Sequence, residues 1–271
     1  MRKLRVYGDS FAAKTMSEHF CWADYVGKNL ELEVINNAIT GSSTEYSVKM
    51  LINDINSITN DIIIFVTSTP GRLHFRHQNY SRPETAVQYL HGAPDNGLNH
   101  SWYHDNKDHI EWWMGNVDHQ LLGINHEAYI HLIRGIAKSN PDAIFLVIPN
   151  SDHRIHIDGG TNPPNFLTTN VCLNEISQFE LDRATPTYRE WVQYSIYDYR
   201  INHLSNPNIK ILSTLVTESI QNMSLDNITY DKFKTNFLHP IRSIKQYHDY
   251  VDLGYLTYAK WVEKQLTKTF G

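Results

Sequence analysis

Residues 62–66 read Ile-Ile-Ile-Phe-Val, an apolar run with no polar break. Side chains alternate between the two faces of a strand, so a run of this kind needs cover on both faces. Residues 143–149, Ala-Ile-Phe-Leu-Val-Ile-Pro, make the same demand. The arrangement that meets it is a parallel sheet held between two layers of helices.

The rest of the chain supplies the alternation such a sheet needs. Residues 3–7 read as a first strand that runs into Gly8. Trp22, Val26 and Leu30 recur at helical spacing, and residues 32–39 read as a second strand. Val48, Leu51, Ile52 and Ile55 mark a second helix face, and Tyr129, Leu132, Ile133 and Ile136 a third. A helix over about 188–203 and a fifth strand over 209–215 are expected next, with Pro240 opening a last helix. This order predicts an α/β fold: a three-layer αβα sandwich around about five parallel strands, joined by right-handed crossovers, in a single domain over 1–271. Two stretches without periodicity, about 73–123 and 150–187, read as insertions. Both follow strand carboxyl ends, the side on which open α/β sheets place their sites. The first is therefore expected to cover the pocket at that edge.

Composition removes several function classes. Lys and Arg total 24 against 29 Asp and Glu, a net charge of −5, so the basic excess of a nucleic-acid surface is missing. No apolar run reaches the length of a membrane span, and the basic start is not followed by the apolar stretch of a secretory signal. No GxGxxG or GxxxxGK follows the first strand, which counts against nucleotide binding. Cys21 and Cys172 form no CxxC and read as reduced, half-buried thiols.

Chemistry is concentrated at two distant places. Gly8-Asp9-Ser10 follows the first strand, so Ser10 is expected at the carboxyl edge of the sheet with its own N–H turned into the same pocket. A serine hydroxyl is a poor nucleophile until a base takes its proton. Asn236-Phe237-Leu238-His239-Pro240 offers that base ahead of the last expected helix.

These segments resemble the SGNH (GDSL-type) hydrolases, a family of esterases, lipases and carbohydrate deacetylases. Gly8-Asp9-Ser10-Phe11 is similar to the family's first block, residues 36–43 (Asn-Asn-Ala-Ile-Thr-Gly-Ser-Ser) to the second, and His239 to the histidine of the last. The resemblance implies a flavodoxin-like strand order, 2-1-3-4-5. It implies Ser10 as nucleophile, His239 as general base, and the N–H groups of Ser10 and Gly41 as oxyanion donors. It also implies that no metal or organic cofactor is needed.

The sequence departs from the family twice. The third block's Gly-x-Asn is absent. Residues 65–72 instead read Phe-Val-Thr-Ser-Thr-Pro-Gly-Arg, and Thr67 aligns best as an alternative hydroxyl donor. This strand end is similar to that of SGNH-like proteins encoded by tailed phages. Arg72, with Asp9, is then a candidate for substrate binding, and Arg72 alternatively makes a surface salt bridge. The family's Asp three residues before the histidine is replaced by Asn236. An amide orients an imidazole through its carbonyl but does not stabilise imidazolium as a carboxylate does. Asp231 is a distant substitute.

Two biased segments remain. His74-x-x-His77, and His153, His156 and Asp158 in the second insertion, have ligand types for a transition metal, but equally line a polar pocket; no metal site is assigned. Trp102-Tyr103-His104 and Trp112-Trp113 form either a sugar-stacking platform or a small core of the insertion. The expected function is a serine esterase that removes O-acyl groups from a carbohydrate or another small ester. The alternative is a catalytically degenerate SGNH-fold binding or virion structural protein. No nucleic-acid or membrane partner is expected, the location is the host cytoplasm or the virion, and the oligomeric state is left open.

Overall fold

The computed structural model describes residues 1–13, 21–39, 42–70, 74–75, 84–85, 118–150, 162–169, 171–183, 206–224 and 228–236, with positions 108, 112 and 116. Among them the elements run β1 (Lys3–Tyr7), α1 (Trp22–Asn29), β2 (Glu33–Asn36), α2 (Thr44–Asn53), a short 3₁₀ turn (Ile55–Ser57), β3 (Ile62–Thr67), β4 (His74–Phe75) and β5 (Glu84–Thr85). They continue with α3 (His119–Ser139), β6 (Ile144–Pro149), β7 (Phe166–Thr168), α4 (Leu173–Arg183), α5 (Asn206–Asn222) and α6 (Tyr230–Asn236). Five strands form one sheet in the order β2-β1-β3-β6-β7, every neighbouring pair parallel. β4 and β5 pair antiparallel in a separate two-stranded ribbon. The chain has an α/β fold with the 2-1-3-4-5 strand order.

The two apolar runs form the middle of the sheet. Every residue of β3 is buried, and β6 aligns with it from Ile62↔Ile144 to Thr67↔Pro149. Their alternation divides the core. Leu4, Val6, Ile62, Ile64, Val66, Leu146 and Ile148 face α1, α4, α5 and α6. Tyr7, Ile63, Phe65, Phe145 and Val147 face α2 and α3. Gly27 lets α1 lie close on β2, since a Cβ there would fall 2.1 Å from the Val34 Cγ2.

The expected fifth strand is corrected by the structure. Residues 209–215 lie inside α5, where Leu212, Leu215, Val216 and Ile220 bury one face at helical spacing. The sequence Ile209-Lys210-Ile211 imitates strand alternation, but only over three positions. The fifth strand is β7, within the stretch read as the second insertion, and α4 also begins there. β7 is held by its flank: the Asn165 amide donates to the carbonyls of Ala137, Asn140 and Ala143 at 3.0, 2.9 and 2.7 Å. α3 starts at His119, so the first irregular stretch ends before residue 123. The helices expected over 188–203 and after Pro240 lie outside the described residues.

A polar network sits under the α2 side of the sheet. Arg5 Nε donates to Asp61 Oδ2 at 2.6 Å, and its Nη1 lies 3.5 Å from Asp54 Oδ2. Burial works against the Arg5 charge, but the hydrogen bond to Asp61 and the charges around it raise its pKa overall. The Tyr7 hydroxyl donates to Asp54 at 2.7 Å. Burial first, then that bond to a carboxylate, holds the Tyr7 pKa well above the ordinary tyrosine value. In the unfolded chain a tyrosine ionises near pH 10. The Tyr7 contribution is therefore complete below about pH 10 and is lost as pH rises towards the folded value, by up to about 1.4 kcal/mol per pH unit. Urea denaturation at pH 9 and pH 11 should show a shallower alkaline loss in Tyr7→Phe than in the wild type.

Candidate active site

The site begins where β1 stops. Gly8 has φ +147°, and a Cβ there would sit 2.8 Å from both the Cβ and the carbonyl oxygen of Val66. Only glycine lets the chain turn this close to β3. The next residues wind into a tight turn, with the Asp9 carbonyl accepting from the N–H groups of Ala12 and Ala13 at 3.0 and 2.9 Å. Ser10 sits inside this turn and is 6% exposed.

Several elements hold the turn from outside. The indole of Trp22, the first residue of α1, donates to the Phe11 carbonyl at 2.7 Å. The Asn36 amide, at the end of β2, donates to the Ala12 carbonyl at 2.8 Å. Its neighbour Asn37 points elsewhere and donates to Asp54 at 2.9 Å. The Gly8 carbonyl accepts from the Ile39 N–H at 3.0 Å and the Ser42 hydroxyl at 2.9 Å. The segment after β2 is thus fastened to the segment after β1, and its two asparagines hold two different parts of the fold.

Adjacent strand ends complete the floor. β1 and β3 pair with Tyr7 opposite Phe65, so the chain beyond β1 leaves the sheet beside Thr67. Thr67 is buried at the end of β3. Ser68 ties this edge to the N-terminus of α2, its N–H donating to the Thr44 hydroxyl at 2.9 Å. At the end of β6, Asn150 donates its N–H to the Thr67 carbonyl at 3.2 Å and its side-chain amide to Asp9 Oδ2. The Asn150 carbonyl accepts from the Asn174 N–H at 2.9 Å and the Cys172 thiol at 2.7 Å.

Ser10, Asp9 and Thr67 are therefore brought to one rim of the sheet. Asp9 has no solvent exposure, and its carboxylate is engaged by Asn150 and by the Phe11 N–H at 3.0 Å. Asn236 is the exposed last residue of α6, where its amide donates to the Lys232 carbonyl at 2.8 Å. Asp231 lies exposed in the first turn of the same helix. His239, Gly41 and Arg72 lie outside the described residues, as do His77, His153, His156, Asp158, the 102–104 aromatics and most of the insertion expected to cover Ser10. Among the described residues no group of three His, Cys, Asp or Glu is placed to hold a metal ion, and no helix is long and apolar enough to cross a membrane.

Sequence reasoning missed Asn150, whose only local signal is its place directly after a buried strand. Both cysteines are free and buried. Burial, with the charge of Asp24, pushes the Cys21 thiol up to about 12, so it is no competing nucleophile.

The five parallel strands in 2-1-3-4-5 order, with a serine turn at the end of the first, define an open α/β protein, a class that places its sites at the carboxyl rim of the sheet. Among solved structures the chain is similar to a lipase/acylhydrolase from Enterococcus faecalis, with 17% identity over 82% of this chain and 96% of that one and a TM-score of 0.38. It is also similar to a protein described as a GDSL-like lipase from Parabacteroides merdae, with 11% identity over 82% and 97% of the two chains and a TM-score of 0.39. No family model matches the chain, and no curated protein matches it.

Proposed function

We propose that the protein is a serine ester hydrolase of the SGNH kind, acting on O-acyl groups of a carbohydrate or another small ester. The Ser10 oxygen attacks the ester carbonyl while His239 takes its proton. The N–H groups of Ser10 and Gly41, with the Thr67 hydroxyl, stabilise the oxyanion. His239 returns the proton to the departing alcohol, and water, deprotonated by the same imidazole, then releases the acyl group from Ser10. Asn236 orients the imidazole through its side-chain carbonyl, and Arg72 binds a polar group of the substrate.

The observation that carries this reading is the pinned turn at Ser10, beside the end of β3 at the carboxyl rim. The Thr169 hydroxyl, just past β7, donates to the Ile228 carbonyl at 3.3 Å, which ties the chain ahead of α6 to the end of β7. The amide that stands at position 236 in place of a carboxylate, with the missing Gly-x-Asn after β3, favours the second reading, a binding protein that retains the sheet without efficient turnover.

Incubation with p-nitrophenyl acetate and with an alkyl fluorophosphonate separates the two. The hydrolase is expected to release nitrophenol catalytically and to carry one phosphonyl group, mapped by peptide mass to Ser10. A protein that gains no mass and adds nothing to the background rate is not a serine hydrolase.

A further inference from the structure

We infer that Asp9 and Asn150 form a positioning pair that holds Ser10 in its reactive place, an inference that rests on the serine-hydrolase reading. The two residues are 141 positions apart, and both are buried, Asp9 at 0% and Asn150 at 3% exposure. A carboxylate removed from water is costly unless its oxygens are engaged. Here Oδ2 accepts from the Asn150 amide and Oδ1 from the Phe11 N–H, two residues along the chain. The same residue's carbonyl takes the N–H groups of Ala12 and Ala13. Ser10 therefore lies between two sets of bonds made by its own neighbour, and its backbone cannot turn without breaking one of them.

Asn150 is the external anchor of that arrangement. Its N–H binds the end of β3, its amide binds the turn after β1, and its carbonyl receives the first turn of α4 and the Cys172 thiol. One residue, by its backbone and its side chain together, thus ties the nucleophile turn to the ends of β3 and β6, where the oxyanion donor Thr67 sits. This gives Asp9 a task other than the substrate contact expected from the sequence. Displacement of a reacting group by about 1 Å costs on the order of 10²-fold in rate.

Chemical reversal of the pair tests it, with the rate of fluorophosphonate capture by Ser10 as the readout. Asn150→Asp puts two carboxylates face to face, and Asp9→Ala removes the acceptor. Each is expected to slow capture by about 10²-fold while leaving the folded circular dichroism spectrum in place. Adding Asp9→Asn to Asn150→Asp restores a donor facing a carboxylate, with donor and acceptor exchanged, and should bring capture back to within about tenfold of wild type. Asp9→Asn alone is expected to stay near wild type, because the Asn150 amide can flip to accept. If a single variant does not fold, Asn150→Ser replaces it and should show the same slowing. The inference is overturned if the double variant reacts no faster than Asn150→Asp, or if Asn150→Ser reacts as wild type. A wild-type protein that is never phosphonylated at Ser10 overturns the hydrolase reading itself, and this inference with it.

Discussion

Ser10→Ala is expected to lower turnover of p-nitrophenyl acetate by about 10²-fold, to the background of the oxyanion donors and binding alone. Removal of the nucleophile in a complete Ser-His-Asp site costs more, on the order of 10⁶-fold. The smaller figure follows from Asn236. Exchange of the orienting carboxylate for an amide lowers turnover by about 10⁴-fold where it has been made in such a site. A wild-type rate already reduced in this way leaves less to lose. Steady-state assays of the two purified proteins decide the matter. A variant that retains more than a tenth of the wild-type rate would place the nucleophile elsewhere.

Gly8→Ala should unfold at markedly lower urea concentration, with a loss of about 4 kcal/mol. Two independent costs combine. The positive φ of +147° is a conformation that alanine adopts only under strain, at about 1–3 kcal/mol. The added methyl would also meet the Val66 Cβ and carbonyl at 2.8 Å, and Ala12 at 3.3 Å. Backbone of a central strand cannot retreat, so overpacking adds about 1–3 kcal/mol more. The midpoint of urea denaturation, with an unchanged slope, is the measurement. A midpoint equal to wild type would mean that the chain leaves β1 by another path. The same substitution should slow phosphonate capture in whatever fraction remains folded, since Gly8 also fixes where the Ser10 turn begins.

Much of the architecture was legible. The fully apolar run of β3 demanded cover on both faces, and alternation along β1 and β3 assigned side chains to two layers. Helices form where the apolar spacing asked for α2 and α3, and Val48, Leu51, Ile133 and Ile136 are buried, but Ile52 and Leu132, expected on the same faces, are each 43% exposed, and Ile55 falls in the 3₁₀ turn after α2. The fifth strand was not legible. β7 has three residues, too few for any period to register, and its place depends on Asn165 gripping three carbonyls from α3 and the turn that follows. Residues 209–211 alternate as a strand would, yet the burial of Leu212, Leu215 and Val216 against α1 and β-sheet side chains made a helix of them.

The site divides in the same way. A serine after the first strand of an open sheet must stand at the carboxyl rim, because the direction of parallel strands leaves it no other edge. That much the residue order by itself determined, together with the layers, the parallel sheet and the glycine before Asp9. Which groups hold the serine was decided only by the tertiary structure: Trp22, Asn36, Ser42 and Asn150 reach the turn from four separate segments. Local periodicity records which face a residue shows. It carries no record of which distant polar group will meet it, because that depends on which strand ends come to lie side by side.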